Sequence, residues 1–248
     1  MNANAVGTFF SSCRDAITQH HMRFRSAATA FFANARTQLG LHRAKQLDRD
    51  RTEASAFTVF EWIKPDENCL SDIFANLLDP ALGDHGQGTL FLGELFRVAG
   101  IPMVEGLDKA EAWLEEDTWL IDNPLRRIDI VVRLPSFGIA IENKPWASDQ
   151  VDQVADYVEY MRRCYGERFA FFYWSGQGAA PTSIMPQERE RLERAGRLHI
   201  WSYQREVREW LEACRHACQA KKVDWFLTDL LGYLARSFVE MPRPSEAE

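Results

Sequence analysis

Three charged residues at the ends of two apolar segments have the types and spacing of a metal site. Asp129 is the only acid in residues 127–132, and Glu142 and Lys144 end residues 138–144. Mg²⁺ takes oxygen ligands in octahedral order at about 2.0–2.1 Å and keeps several waters. Two carboxylates on adjacent strands could hold such a cation, and a lysine beside them could contact the attacking water and the phosphate. These are the parts for metal-assisted phosphodiester hydrolysis.

The two segments are predicted to form a hairpin. The first arm is rich in β-branched residues, residues 134–137 make the turn, and Pro145 ends the second arm because it cannot donate to a ladder. Residues two apart in a strand share a face, so Glu142 and Lys144 project together. A buried hairpin with a Glu–Lys pair at its edge is the alternative interpretation. An acid on the preceding strand, Asp129, favours the metal site.

A helix is predicted to follow the hairpin, with Ser148 or Asp149 as its N-terminal cap. Three polar residues at i, i+3 and i+7 share one face of this helix: Gln150, Gln153 and Tyr157. Simple packing explains a tyrosine on that face but not two glutamines. Their amides could hold metal-bound waters or a substrate phosphate.

These residues together resemble the signature of the PD-(D/E)XK nuclease superfamily. Asp129 is separated by twelve residues from Glu142-Asn143-Lys144, and residues 153–157 are similar to a Q-x-x-x-Y element of its exonuclease-like branches. The resemblance implies an αβββαβ core over about residues 61–203. It also implies that Asp129 and Glu142 bind Mg²⁺, for which Mn²⁺ substitutes, and that Lys144 is catalytic.

An upstream carboxylate, Glu67, has two interpretations that the sequence leaves open. Residues 67, 70, 74 and 78 share one face of a predicted helix that runs to about Leu78, with Pro65 in its first turn. An acid at a helix start is stabilised by the helix dipole by about 0.3–1 kcal/mol. The resemblance instead implies that Glu67 is a further acidic residue of the metal site, beside Asp129 and Glu142. Residues 67–72, 77–80 and 85–86 also resemble a bacterial subgroup of these proteins, which implies a role in bacterial defence or a mobile element.

The order of elements predicts an α/β fold, a mixed central β-sheet flanked by helices, restriction-endonuclease-like in its αβββαβ core. N- and C-terminal helical extensions are expected outside that core. The predicted domains are a helical extension over residues 1–56, a nuclease-like domain over 57–240 and a disordered tail over 241–248. Strands are expected over 113–121, 168–174 and 198–203.

Two details of the helical extensions are also predicted. Residues from about 5 to 46 are predicted to be helical, with Gly40 suited to a C-terminal cap, and residues 47–56 are predicted to be a linker or an exposed helix end. Near the other terminus, Trp225, Phe226, Leu230 and Leu234 form a stripe that is expected to be buried.

The composition limits the function classes. No apolar run approaches the roughly 20 residues needed to span a bilayer, and no signal peptide is recognised, so we expect a cytoplasmic protein without a membrane. Five cysteines lack the further ligands of a zinc site and are expected to be reduced. The net charge of −7 argues against binding of DNA by bulk attraction, although residues 1–60 carry eight Arg or Lys and four acids.

The leading hypothesis is therefore a Mg²⁺-dependent nuclease that acts on nucleic acid, DNA rather than RNA. A catalytically silent nuclease-fold module for binding or regulation is the alternative, which the acidic composition favours. A nuclease released by a partner in a defence system is a third hypothesis, by analogy with the subgroup. Assembly as a homodimer or with a partner protein is left open.

Overall fold

The computed structural model describes residues 3–54, 57–121, 123 and 126–239. By the contacts between its residues, the chain divides into two compact units, Met1–Phe57 and Thr58–Glu248. The predicted tail, residues 241–248, lies outside the described residues. Among the described helices, none combines the length and the apolar character needed to cross a membrane.

The first unit is one helix, α1 (Ala3–Glu53), that is 51 residues long. The prediction that a helix ends at Gly40 is wrong, because α1 continues through this residue for more than three turns. Residues 41–53 are mostly good helix formers, and they outweigh the roughly 1 kcal/mol that a glycine costs inside a helix. The chain leaves the helix at Ala54, whose φ is 45°.

The second unit is built on a five-stranded mixed sheet in the order β1-β2-β3-β4-β5. The strands are β1 (Glu111–Asp117), β2 (Arg127–Arg133), β3 (Gly138–Lys144), β4 (Phe169–Ser175) and β5 (Leu198–Ser202). The first three strands are antiparallel neighbours, whereas β3, β4 and β5 run parallel. The mixed α/β sheet and the β2–β3 hairpin are confirmed.

Helices cover both faces of this sheet. They are α2 (Phe60–Ile63), α3 (Glu67–Leu78), α4 (Leu90–Ala99), α5 (Gln153–Tyr165), α6 (Pro186–Arg194), α7 (Glu206–Ala217) and α8 (Lys221–Ser237), with a short 3₁₀ helix at Leu107–Lys109. One core contains residues of α2, α3, α4, α7 and α8, and the other contains residues of α5 and α6. Every residue of β4 is buried, as expected of a strand covered on both faces.

Strand β3 divides its side chains between the two cores. Ile139 and Ile141 belong to the core that contains α3, and Ala140 belongs to the core that contains α5. Because side chains alternate along a strand, Glu142 lies on the α5 side and Asn143 on the α3 side. Their hydrogen bonds agree with this assignment, since Glu142 contacts Gln153 and Asn143 contacts Ser71.

Two predicted element boundaries near α3 are wrong. The helix begins at Glu67 rather than around Pro65, because the Asp66 carboxylate caps it by accepting the Cys69 N–H at 2.9 Å. The first strand starts at Glu111 rather than Trp113. Asp79, which follows α3, accepts the Ala112 N–H at 2.9 Å and so fixes the start of β1 against the end of that helix.

The prediction that Trp225 is buried is also wrong, because its side chain is 72% exposed. The buried residues of α8 are Leu227, Leu230, Leu231, Tyr233 and Leu234. Trp225 lies on another face of the helix, so the buried stripe is shifted from the predicted one. The cysteines for which side chains are described are free thiols: Cys69, Cys164, Cys214 and Cys218.

The fold predicts a specific loss of stability when Phe74 is changed. This fully buried ring of α3 lies 5.1 Å from the ring of Trp174 and 6.0 Å from that of Trp210, centroid to centroid. We expect Phe74→Ala to lower the free energy of unfolding by about 3–5 kcal/mol in urea titration, because it leaves a cavity. Asn76→Ala, on the exposed side of α3, is the control and should change it by less than about 0.5 kcal/mol. Equal effects of the two would contradict this packing.

Candidate active site

The first carboxylate of the site lies where β2 and β3 separate. The paired register of these strands ends at Ile130 opposite Ile141. Beyond that point the Asp129 carboxylate accepts the Asn143 N–H at 2.7 Å, in place of a backbone carbonyl. This bond uses one carboxylate oxygen and fixes the side chain beside the end of β3.

The second carboxylate, Glu142, is fully buried. Its Oε1 accepts hydrogen bonds from Lys144 Nζ at 2.8 Å and from Gln153 Nε2 at 2.7 Å. Its Oε2 is also buried, yet no hydrogen-bond donor among the described residues contacts it. A buried carboxylate oxygen without a partner costs free energy; protonation reduces this cost by removing the charge, and a bound cation supplies the missing partner.

The Lys144 ammonium connects the acids. Its Nζ lies 2.8 Å from Glu142 Oε1, 2.8 Å from Glu67 Oε1 and 3.7 Å from Asp129 Oδ2. The structure thus brings together four residues singled out by the sequence. Glu67 is there because it is the first residue of α3, whose N-terminal end faces the end of β3.

The electrostatics of the site follow from its burial. Burial raises the pKa of Asp129 to about 6, against the lowering effects of Lys144 and of the Asn143 N–H. Burial, and then the charge of Asp129, raise the pKa of Glu142 to about 8. Although burial lowers the pKa of Lys144, the neighbouring carboxylates of Glu142 and Asp129 raise it above its ordinary value. Without a cation, the site therefore favours a charged lysine and a protonated glutamic acid.

A polar network behind the site was missed by the sequence analysis. Asn143 Nδ2 donates to Ser71 Oγ at 2.9 Å and to the Glu67 carbonyl at 3.2 Å. Tyr203 donates its hydroxyl proton to Asn143 Oδ1. These bonds connect β3 to α3 and to the chain after β5. The sequence signal that could have predicted this network is Asn143 itself. It is a polar residue on the face of β3 whose other residues are the buried Ile139 and Ile141.

The start of α5 differs from the prediction. The helix begins at Gln153, after Asp152 in a left-handed conformation with φ of 59°. Neither Ser148 nor Asp149 caps it. The Asp149 carboxylate instead accepts the Thr182 N–H at 2.9 Å and the Ser183 N–H, and so joins two loops.

The prediction that Gln150 lies in α5 is therefore wrong. Its side-chain oxygen accepts from Arg126 Nη1 at 2.8 Å, and its backbone N–H donates to Gln153 Oε1 at 2.9 Å. Gln150 thus reaches Glu142 only through Gln153, as a support of that side chain. Its predicted contact with substrate stays a prediction.

Gln153 and Tyr157 do lie together on α5. Gln153 Nε2, which donates to Glu142, also lies 3.1 Å from the Tyr157 hydroxyl. That hydroxyl in turn donates to the Arg127 carbonyl of β2. Both ends of the Gln153 amide are thereby occupied, so its orientation toward Glu142 is fixed. Gln153 and Tyr157 therefore position Glu142 from the α5 side of the sheet. On the opposite side, the hydrogen bonds of Asn143 position α3.

Comparison with known proteins agrees with this geometry. A family model described as the PD-(D/E)XK nuclease superfamily matches residues 57–229, well over half of the chain. The protein belongs to the PD-(D/E)XK nuclease superfamily. Neither curated proteins nor solved structures gave a match. The matched region includes Glu67, Asp129, Glu142, Lys144 and Gln153, and it excludes α1.

Members of the PD-(D/E)XK superfamily generally use divalent metals, and the residues present fit such an ion. Among the described residues, no group of three or more His, Cys, Asp or Glu side chains is arranged to hold a metal. Two carboxylates are nevertheless enough for Mg²⁺, which keeps several waters. The unpartnered, buried Oε2 of Glu142 is an oxygen of the kind that a hard cation binds once the carboxyl group has lost its proton.

The raised pKa of Glu142 predicts how the metal-free protein responds to pH. Its ordinary pKa is 4.5 and its value in the fold is about 8, so between them the folded protein binds more protons than the unfolded chain. Stability therefore falls as the pH rises through this range, by up to about 1.4 kcal/mol per pH unit for one carboxyl, and levels off above it. We expect the Tm in a chelating buffer to fall between pH 6 and pH 8.

The matched variant for this measurement is Glu142→Gln, which keeps the shape of the side chain and cannot ionise. Its Tm should fall less over the same interval, because the largest upward carboxyl shift at the site is gone. If the Tm of the wild type and the Tm of Glu142→Gln show the same pH dependence, Glu142 is not protonated in the metal-free fold and the prediction is wrong.

Proposed function

We propose that this protein is a divalent-metal-dependent nuclease that hydrolyses phosphodiester bonds in nucleic acid, with DNA as the polymer, Mg²⁺ as the ion and Mn²⁺ as its substitute. The observation that carries the proposal is the unpartnered, buried Oε2 of Glu142. It lies in a cluster with a second, partly buried carboxylate, Asp129, and a lysine, as metal-assisted hydrolysis requires.

The roles of the residues follow from their contacts. Asp129 and Glu142 would hold the cation, which would neutralise charge on the phosphate and make a bound water more acidic. Lys144 would donate to the phosphate or to the attacking water, because its ammonium lies at the edge of the carboxylate pair. Glu67 would hold Lys144 in place through their 2.8 Å ion pair. Gln153 would orient Glu142, and Gln150 would support Gln153.

A catalytically silent nuclease-fold module is the second candidate. The net charge of −7 favours it, because a protein that relies on general attraction to phosphates is normally basic. The proposed nuclease tolerates this charge, since the bound cation supplies positive charge where the phosphate lies. The two candidates differ in one result: the silent module binds nucleic acid and leaves it intact with any metal.

Cleavage by a carboxylate variant tests the enzyme and its site together. We expect wild-type protein with Mn²⁺ or Mg²⁺ to degrade labelled single-stranded or duplex DNA. Glu142→Gln should reduce the rate more than about a hundredfold, because even the outer partners of metal ligands are worth 10–100-fold. Glu111→Gln, which changes an exposed acid on β1, is the control and should cleave as wild type does. Asp129→Asn with full metal-dependent activity would contradict the assignment.

The metal should also stabilise the fold. A cation that binds the folded site and not the unfolded chain stabilises the fold by about 2.7 kcal/mol at a concentration 100 times its Kd. For a protein of this size this corresponds to roughly 5–10 °C in Tm. We expect scanning calorimetry to show this increase with Mn²⁺ in wild type and to show most of it lost in Asp129→Asn. A wild-type Tm that Mn²⁺ and Mg²⁺ leave unchanged would count against the site.

A further inference from the structure

An open cavity of about 480 Å³ is lined in part by Lys144, whereas Asp129 and Glu142 are not among its lining residues. The loop that follows β3, the loop that follows β4 and the end of α8 form its walls. These loops leave the carboxyl ends of parallel strands, the edge at which open α/β sheets bind ligands. The cavity is thus continuous with the proposed active site through one residue, Lys144.

An aromatic stack forms one wall of this cavity. The Trp146 ring is 54% exposed and stacks on Phe238, with centroids 5.7 Å apart and planes at 23°. Phe238 stacks in turn on Tyr203, at 4.6 Å and 27°. Tyr203 donates to Asn143 in the network behind the site. The exposed part of Trp146 is therefore a flat surface supported from behind by rings that are fixed to β3.

The polar lining selects which part of a nucleotide fits. The Asp149 carboxylate lines the cavity and accepts from Thr182 N at 2.9 Å, Thr182 Oγ1 at 3.1 Å and Ser183 N. These bonds hold the two walls together, so the cavity is formed before a ligand arrives. The negative charge of Asp149 repels a phosphate at this place but does not repel an uncharged base. The phosphate of the same nucleotide is attracted to the other end, where the Lys144 ammonium lies.

We propose that this cavity receives one unpaired nucleotide of the substrate, with its base stacked on Trp146. The proposal rests on the function proposed above for the adjoining carboxylates. A volume of 480 Å³ is in the range of small-ligand sites and excludes a duplex, so the base must come from a single strand or be extruded from a pair. Aromatic stacking accepts any base, so it selects single strands without selecting a sequence.

Binding measurements on a cleavage-deficient background test this site. In Glu142→Gln protein, fluorescence anisotropy would compare labelled single-stranded DNA, single-stranded RNA and a blunt DNA duplex of one sequence. We expect Trp146→Ala to weaken single-strand binding by about 5- to 150-fold, the range for a lost base stack. Trp146→Phe keeps a ring and should stay within about threefold. The DNA and RNA strands distinguish the two sources of an unpaired nucleotide.

The matched control is Trp225→Ala. Trp225 is 72% exposed on α8 and does not line the cavity, so its removal should leave affinity unchanged. In protein with Glu142 intact, Trp146→Ala should raise KM for single strands and leave kcat within about threefold. The proposal is overturned if Trp146→Ala weakens binding to the blunt duplex by the same factor as binding to single strands. It is also overturned if Trp146→Ala leaves single-strand binding unchanged, or if the protein does not bind single strands.

Two further outcomes separate this proposal from others. If single-strand affinity is insensitive to Trp146→Ala and rises when the chain is ended at Val239, the cavity holds the chain's own last residues and the proposal is wrong. If Trp146-dependent binding occurs but wild type cleaves nothing with Mn²⁺, the nucleotide site stands and the nuclease proposal fails. In the opposite result, cleavage depends on Glu142 but not on Trp146. The nuclease proposal then stands and the nucleotide-site proposal fails.

Discussion

A lysine ammonium surrounded by three carboxylates is the interaction on which the rest of this domain depends. Lys144 lies within 4 Å of Glu67, Asp129 and Glu142, which come from a helix and two strands. Taking such charges out of water is unfavourable unless every one of them is paired with good geometry. The cluster therefore requires that α3, β2 and β3 meet at one point. The aromatic contacts of Phe74 hold α3 there, and the separation of β2 from β3 leaves space for the carboxylates.

The same strand end serves two different environments. On the α5 side, Glu142 is polar, incompletely satisfied and suited to a cation. On the α3 side, Asn143 has donors and acceptors matched by Ser71, Glu67 and Tyr203. A network with all its hydrogen bonds made rigidifies the structure around it. A buried group without a partner destabilises the fold, and a ligand that binds this group removes that cost, which favours its binding. The domain thus places an incompletely satisfied carboxyl group, Glu142, next to a residue, Asn143, that is held by a complete set of hydrogen bonds.

The hairpin and the placement of Glu142 and Lys144 together at its end were predictable because their information is local. Alternation along β3 and the E-x-K spacing place Glu142 and Lys144 on one face, and the apolar run of β4 indicates burial on both sides. The family match supports the same region. What was missed depends on long-range contacts. Asp149 looked like a helix cap, but it bonds to Ser183, 34 residues away, and Tyr203 reaches Asn143 across 60 residues.

Other errors arose where local signals were outweighed. Gly40 does favour a helix end, but the helix propensity of the residues after it outweighs this preference and α1 continues. The stripe that contained Trp225 was assigned to the wrong helix face, because a short apolar pattern leaves the exact rotation of a helix open. Gln150 was assigned to a helix for its spacing, although a left-handed residue at Asp152 lies between it and the helix start.

The alternation along β3 limits how this protein can change in evolution. A substitution alters one side chain, but a deletion or insertion between Gly138 and Lys144 would exchange the faces of all residues beyond it. Glu142 and Lys144 would then point at Phe74 and its neighbours, and Asn143 would point at Gln153. Length variation among relatives should therefore be confined to the turn at residues 134–137 and to the loops, while this strand keeps its seven residues.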